Sequence, residues 1–185
     1  MSRSSKKRIP LLLIGGVIAL FALNSCIDPI PERSSLNKPA IEARETEIKH
    51  FSDADGHIIW IMNADLVQLF ETSQETRAEV ISLTFYDESG EEALNLTSDS
   101  LVFYIASGDL AITGNIVAED ASGIRFTTDE AYWDAENSVL RGDSPVFAER
   151  EDFSISGAGF AYDPNERTIA VSDGHLKALI GGLNE

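Results

Sequence analysis

The 185-residue sequence predicts an all-β fold, and three observations carry that prediction. Apolar and polar residues alternate over short runs, turn residues punctuate those runs, and the pattern recurs about every 30 residues. The alternation is clearest in Ile81-Ser-Leu-Thr-Phe85, Leu101-Val-Phe103, Leu110-Ala-Ile112 and Phe153-Ser-Ile155. Period two sends one face of an extended strand inward, so Leu83, Phe85, Leu101, Phe103, Ile112, Ile124, Phe126, Phe153, Ile155, Phe160 and Ile169 are expected to face a core.

Elements begin beyond an unusual amino end. Arg3, Lys6, Lys7 and Arg8 precede Ile9 to Leu23, a run without charge. A basic start and a short apolar middle are the layout of an export signal. The run is shorter than the roughly 20 residues a spanning helix needs, and it holds Pro10 and Gly15-Gly16. Leu23-Asn24-Ser25-Cys26 then resembles the lipobox of bacterial lipoproteins, with Asn24 departing from the usual small or β-branched residue. The expectation is a lipoprotein signal over residues 1–25 and lipid attachment at Cys26, the only cysteine. An uncleaved, short anchor is the alternative, and either tethers the rest to a membrane. Ile27 follows Cys26 directly, so the aspartate-next-door signal for inner-membrane retention is absent.

Pro29, Pro31 and Pro39, with Ser34-Ser35 and Asn37, make residues 26–40 an extended tether. The β domain is expected over 41–182. Residues Pro39 to His50 allow a helix or a first strand. Strands of about five to eight residues then follow between turns such as Asp55-Gly56, Ser89-Gly90, Ser107-Gly108, Ser122-Gly123 and Asp163-Pro-Asn165. Three copies of a strand–turn–strand unit repeat from Leu96 onward. Their anchors Leu96, Phe126 and Ile155 are matched by Gly114, Gly142 and Gly174, and Trp60 to Tyr86 reads as a worn fourth copy. Such units bury an apolar face only by stacking on neighbours. Gly157 and Gly159 suggest a bulge or close strand approach, and Gly114 a kink.

Charge and residue spacing exclude several functions. Beyond Cys26, ten Lys and Arg face all 31 Asp and Glu, a net charge of −21. Such a surface repels phosphate backbones, so nucleic acid is not an expected partner. It also repels an anionic lipid face, leaving lipidation to anchor the chain. His50, His57 and His175 form no metal-binding spacing, so no metal and no cofactor is expected. Asp53-Ala-Asp55-Gly56 begins like a calcium loop but lacks its closing glutamate, and a hairpin turn is expected there. Ser154-Ile-Ser-Gly-Ala-Gly is not a nucleophile elbow. The carboxylates fall mainly in turns and at outward positions, so catalysis is not expected.

Several segments together are similar to the LptC family of periplasmic lipopolysaccharide-export proteins. They are Trp60-Ile-Met-Asn-Ala64, Leu83 to Gly90, Leu110 to Ile116, Gly123 to Asp129 and Ser156 to Asp163. The resemblance covers about Glu47 to Ile180; familiar members carry a transmembrane helix where this chain has its lipobox-like site. It implies an open, twisted β-jelly-roll, a boat of about 15 antiparallel strands. It also implies a non-enzymatic role in a bridge that takes lipopolysaccharide from an inner-membrane ABC transporter of the LptB2FG kind to a soluble LptA-like jelly-roll. The inward residues named above would then line a lipopolysaccharide groove. The run His175 to Ile180, through Leu176, Ala178 and Ile180, would be the edge for the downstream partner, and Glu47 to Met62 would face the transporter. A protein-binding scaffold or adhesin is the alternative, and an extracytoplasmic enzyme comes last.

Overall fold

The structure, a computed structural model, describes residues 38–178. Six long strands come first: β1 (Ile41–Phe51), β2 (Ile58–Phe70), β3 (Glu75–Tyr86), β4 (Glu92–Tyr104), β5 (Leu110–Asp120) and β6 (Arg125–Asp134). Six short ones follow: β7 (Val139–Gly142), β8 (Val146–Arg150), β9 (Phe153–Gly157), β10 (Gly159–Asp163), β11 (Thr168–Ser172) and β12 (His175–Ala178). No helix occurs among the described residues, and residues 41–50 belong to the strand β1. All pairs are antiparallel in one open sheet, consecutive from β1 to β6. After β6 the sheet divides. Residues 132–134 continue to β7, β10 and β11, while residues 125–127 continue to β8, β9 and β12.

The division begins as a line of bulges across the long strands. In β1, β3 and β6 the inward–outward alternation slips where two successive residues face out: Arg44-Glu45, Glu79-Val80 and Asp129-Glu130. Glu45 and Val80 take φ of 50° and 52° there, and β5 crosses with Gly114 at 84° and Asn115 at 47°. The ladder registers shift at the same level, between Thr97 and Ser100 and between Thr113 and Ile116. An extra residue bends a strand and sharpens its twist. Bulges aligned on neighbouring strands therefore fold the sheet into two facing leaves. Leaf I holds residues 41–44, 66–70, 75–79, 100–104, 110–113 and 131–134, with β7, β10 and β11. Leaf II holds residues 46–51, 58–64, 81–86, 92–98, 116–120 and 125–128, with β8, β9 and β12.

The sequence repeat maps onto this arrangement. Leu96, Phe126 and Ile155 all lie in leaf II, while Gly114, Gly142 and Gly174 all lie where the chain crosses between leaves. Twelve strands are described, against the about 15 that the resemblance implies. Each long strand, at 10 to 13 residues rather than five to eight, serves both leaves.

Two leaf II turns are copies of one device. Oδ1 of Asp87 accepts hydrogen bonds from Ser89 N, Ser89 Oγ and Glu91 N at 3.0, 2.5 and 3.0 Å. Oδ1 of Asp120 accepts them from Ser122 N, Ser122 Oγ and Ile124 N at 2.8, 2.8 and 2.9 Å. Gly90 and Gly123 share a φ of 84°, a left-handed position that suits glycine. The Asp-x-Ser-Gly pattern thus satisfies its own backbone, which lets both aspartates be buried.

Candidate functional site

The space between the leaves is the candidate site. Its walls meet through aromatic pairs that run along the sheet. Trp60 of leaf II packs edge-on against Phe103 of leaf I at 5.2 Å, while Phe85 meets Trp133 at 4.6 Å and Phe126 meets Phe160 at 5.2 Å as tilted pairs. Of the residues expected to face inward, Leu83, Phe85, Leu101, Ile112, Phe126 and Phe160 belong to this interior, and Phe103, Ile155 and Ile169 pack against it. Two lie elsewhere. Ile124 is buried within the Asp120 turn, and Phe153 sits under the Arg150 guanidinium at 5.0 Å. The interior also takes Trp60, Met62, Leu94, Leu96, Leu110, Ile116, Trp133, Leu140, Val146 and Tyr162. Their signal was the same alternation, re-phased by each bulge.

Opposite the crossing line, the strand ends of the two leaves form a mouth. A cavity of about 460 Å³ opens there, lined by His50, Tyr86 and Glu88 on one lip and by Trp133, Pro164 and Asn165 on the other. His50 stacks on Trp60 at 5.0 Å, and burial lowers its pKa against an opposing pull from Asp53. The indole N–H groups of Trp60 and Trp133 are buried without an acceptor. A larger hollow of about 810 Å³ lies along the outward side of the crossing line, near Asn115, Phe147 and His175. Its lining mixes Asn115, Asp129, Asp173 and His175 with Ile116, Val146 and Phe147, whereas the mouth opens onto the aromatic interior at Trp133 and is the better candidate for entry to it.

The remaining expected positions are plain. Gly114 crosses the fold line, where a Cβ would lie 2.5 Å from Asp99 Oδ2. At Gly157 a Cβ would run into Ser172 O and Val171 Cγ1, and at Gly159 it would lie 2.7 Å from Gly142 O. Leu176 is 65% exposed on β12, which among the described residues pairs only with β9. Ala178 ends that strand, while Ile180 and Cys26 lie outside the described residues. Residues 53–56 form a closed turn, with Ser52 N donating to His57 O at 2.8 Å and Gly56 N to Ser52 O at 2.9 Å. No group of three or more His, Cys, Asp or Glu side chains among the described residues is placed to hold a metal.

An all-β antiparallel sheet folded over an apolar interior, with β1 and β12 each paired along one edge only among the described residues, defines a class of repeat-built β scaffold. Within it, the family model for lipopolysaccharide assembly, LptC-related, matches residues 9–174, and the chain belongs to that family. Its role is therefore in lipopolysaccharide transport, as a component of the cell envelope. Among solved structures, the chain is similar to LptH of Pseudomonas aeruginosa, described as the LptA-homologous periplasmic component of the lipopolysaccharide transport device. The match has a TM-score of 0.52 at 10% identity, over 66% of this chain and 95% of that one, and it speaks to the fold. No curated protein matches the sequence.

Proposed function

We propose that this chain is a membrane-tethered, non-enzymatic carrier segment that holds the acyl chains of lipopolysaccharide between its leaves. In this reading it receives lipid from an inner-membrane ABC transporter and passes it to a soluble LptA-like partner. Residues 1–25 direct export, Cys26 carries the lipid anchor at the inner membrane, residues 26–40 are the tether, and residues 41–182 carry the lipid. The supporting observation is the run of apolar side chains between the leaves, from Trp60 and Phe103 through Phe85 and Trp133 to Phe126 and Phe160. Acyl chains gain about 25 cal/mol per Å² on leaving water, so an apolar slot carries them and leaves the phosphate-bearing headgroup outside. The headgroup is also kept out by the −21 charge of the mature chain. β1, paired with β2, and β12, paired with β9, each keep a second edge without a partner strand among the described residues, which suits strand addition by partners at the two ends.

A protein-binding scaffold is the second reading, favoured by how tightly the interior is packed, with Leu83 and Phe126 both at zero exposure. Photo-crosslinking residues at Phe103 and Phe126, in cells making lipopolysaccharide, separate the two. Lipid adducts that depend on ATP-driven transport are expected. Adducts to protein alone, with transport running, would establish the scaffold instead.

A further inference from the structure

The two leaves share no ladder hydrogen bonds at the mouth, yet the β10–β11 hairpin of leaf I is tied to the twin turns of leaf II. Arg167 Nη2 donates to Asp87 Oδ2 at 2.9 Å, and Glu88 N donates to Asn165 Oδ1 at 3.1 Å. Tyr162 Oη donates toward Ala93 O at 3.3 Å, with Asp120 Oδ2 at 3.5 Å. In both aspartates the division of labour is the same. Oδ1 serves its own turn, and only Oδ2 reaches across the mouth. The cross-leaf ties can therefore break while both turns stay satisfied. Glu88 and Asn165 line the mouth cavity, so their tie stands at its edge, and the Arg167–Asp87 bond lies one residue along from Glu88. Behind them Trp133 lines the same cavity, and its buried N–H has no acceptor. A buried donor without a partner favours a guest that brings one, such as the ester or amide carbonyl at the neck of an acyl chain.

We infer that the β10–β11 hairpin is a latch: its release from the Asp87 and Asp120 turns opens the leaves at the mouth cavity to an acyl chain. This rests on the carrier reading and adds where the slot opens and which residues govern it. Asp87 keeps its charge down to about pH 2, chiefly through Ser89 and the Glu91 N–H, so mild acid does not release the latch.

The test is a reversible lock on the full chain, using fluorescently labelled lipopolysaccharide as the probe. Glu88→Cys with Asn165→Cys bridges the mouth on oxidation. Thr84→Cys with Asn95→Cys, on a cross-strand pair within leaf II whose side chains meet at 2.8 Å, is the control. Oxidation of the mouth pair is expected to cut uptake at least about tenfold. Reduction restores it, and the control pair is indifferent. Arg167→Gln, without any disulfide, is expected to speed initial uptake about fivefold. Unchanged uptake by the oxidised mouth pair, with the unlocked chain binding normally, would overturn the latch and leave the carrier reading standing. No binding by any form, locked or free, would overturn the carrier reading and the latch with it.

Discussion

Gly142 ends β7 where the chain crosses between leaves, and replacing it with alanine tests how closely the crossing line is packed. A Cβ there would stand 2.6 Å from Glu130 O and 2.6 Å from Phe160 Cε1, against ordinary contact from about 3.4 Å. Neither neighbour yields easily. Glu130 O is backbone, and the Phe160 ring is itself held against Phe126. Overpacking of this kind costs about 1–3 kcal/mol. At the ~3–4 °C per kcal/mol of a domain near 150 residues, the melting temperature falls by about 3–12 °C. Gly90→Ala is the opposite case: its φ of 84° strains any side chain, but no atom lies within 4 Å of the new Cβ. Its cost is backbone strain alone, about 1–2 kcal/mol. Trimming the ring with Phe160→Leu should recover part of the Gly142→Ala loss and none of the Gly90→Ala loss. Thermal melts followed by circular dichroism decide it. If Gly142→Ala melts within about 1 °C of the parent, or if Phe160→Leu rescues both variants alike, the crowding argument fails.

Phe126→Ala removes a ring at zero exposure that joins Phe160 and Tyr162 across the leaves. A loss of about 3–5 kcal/mol is expected in urea unfolding; a loss below ~1 kcal/mol would mean that the leaves close over the gap. Acid should also weaken the fold in a defined window. The Ser89 hydroxyl first, then the Glu91 N–H, hold Asp87 at about 2 rather than its ordinary 3.8. A folded pKa below the unfolded one gives stability that is whole above about pH 4 and is lost as pH falls toward 2. Asp87→Asn should flatten that part of an acid titration, and an unchanged profile would assign the acid sensitivity to other carboxylates.

Side-chain alternation made the strand class and much of the interior legible, because Leu83, Phe85, Leu101 and Ile112 lie where period two puts them. The repeat glycines were legible as a spacing but not as a place. Nothing in 28- and 32-residue intervals says that Gly114, Gly142 and Gly174 line up on one crossing. The bulges were hidden because their residues mislead. Asp65, Asp99 and Asp129 look like strand ends, yet their strands run on through them into the other leaf. Val80, β-branched and 61% exposed, takes a left-handed φ that its residue type disfavours. Strand lengths were underestimated for that reason. The ties over the mouth were out of reach for a different one. Asp87 and Arg167 are 80 residues apart, and only the folding of the sheet onto itself brings them together.

That folding also makes the packed interior compatible with passage of a lipid. Along the crossing line the leaves are joined by the six long strands themselves, so separating them there would break covalent geometry and ladder bonds together. At the mouth they are joined by side chains: aromatic contacts such as Phe85 with Trp133, and the few polar ties from Tyr162, Asn165 and Arg167. Aromatic contacts carry no directional debt, and methylenes entering between the rings keep the same surface out of water. The polar ties are the part an acyl chain cannot replace. The barrier to entry is thus concentrated in these few polar bonds, while the interior around them offers a guest about the same environment that it offers itself. A hinge on one side and a short row of exchangeable bonds on the other is the arrangement expected of a slot that opens without unfolding.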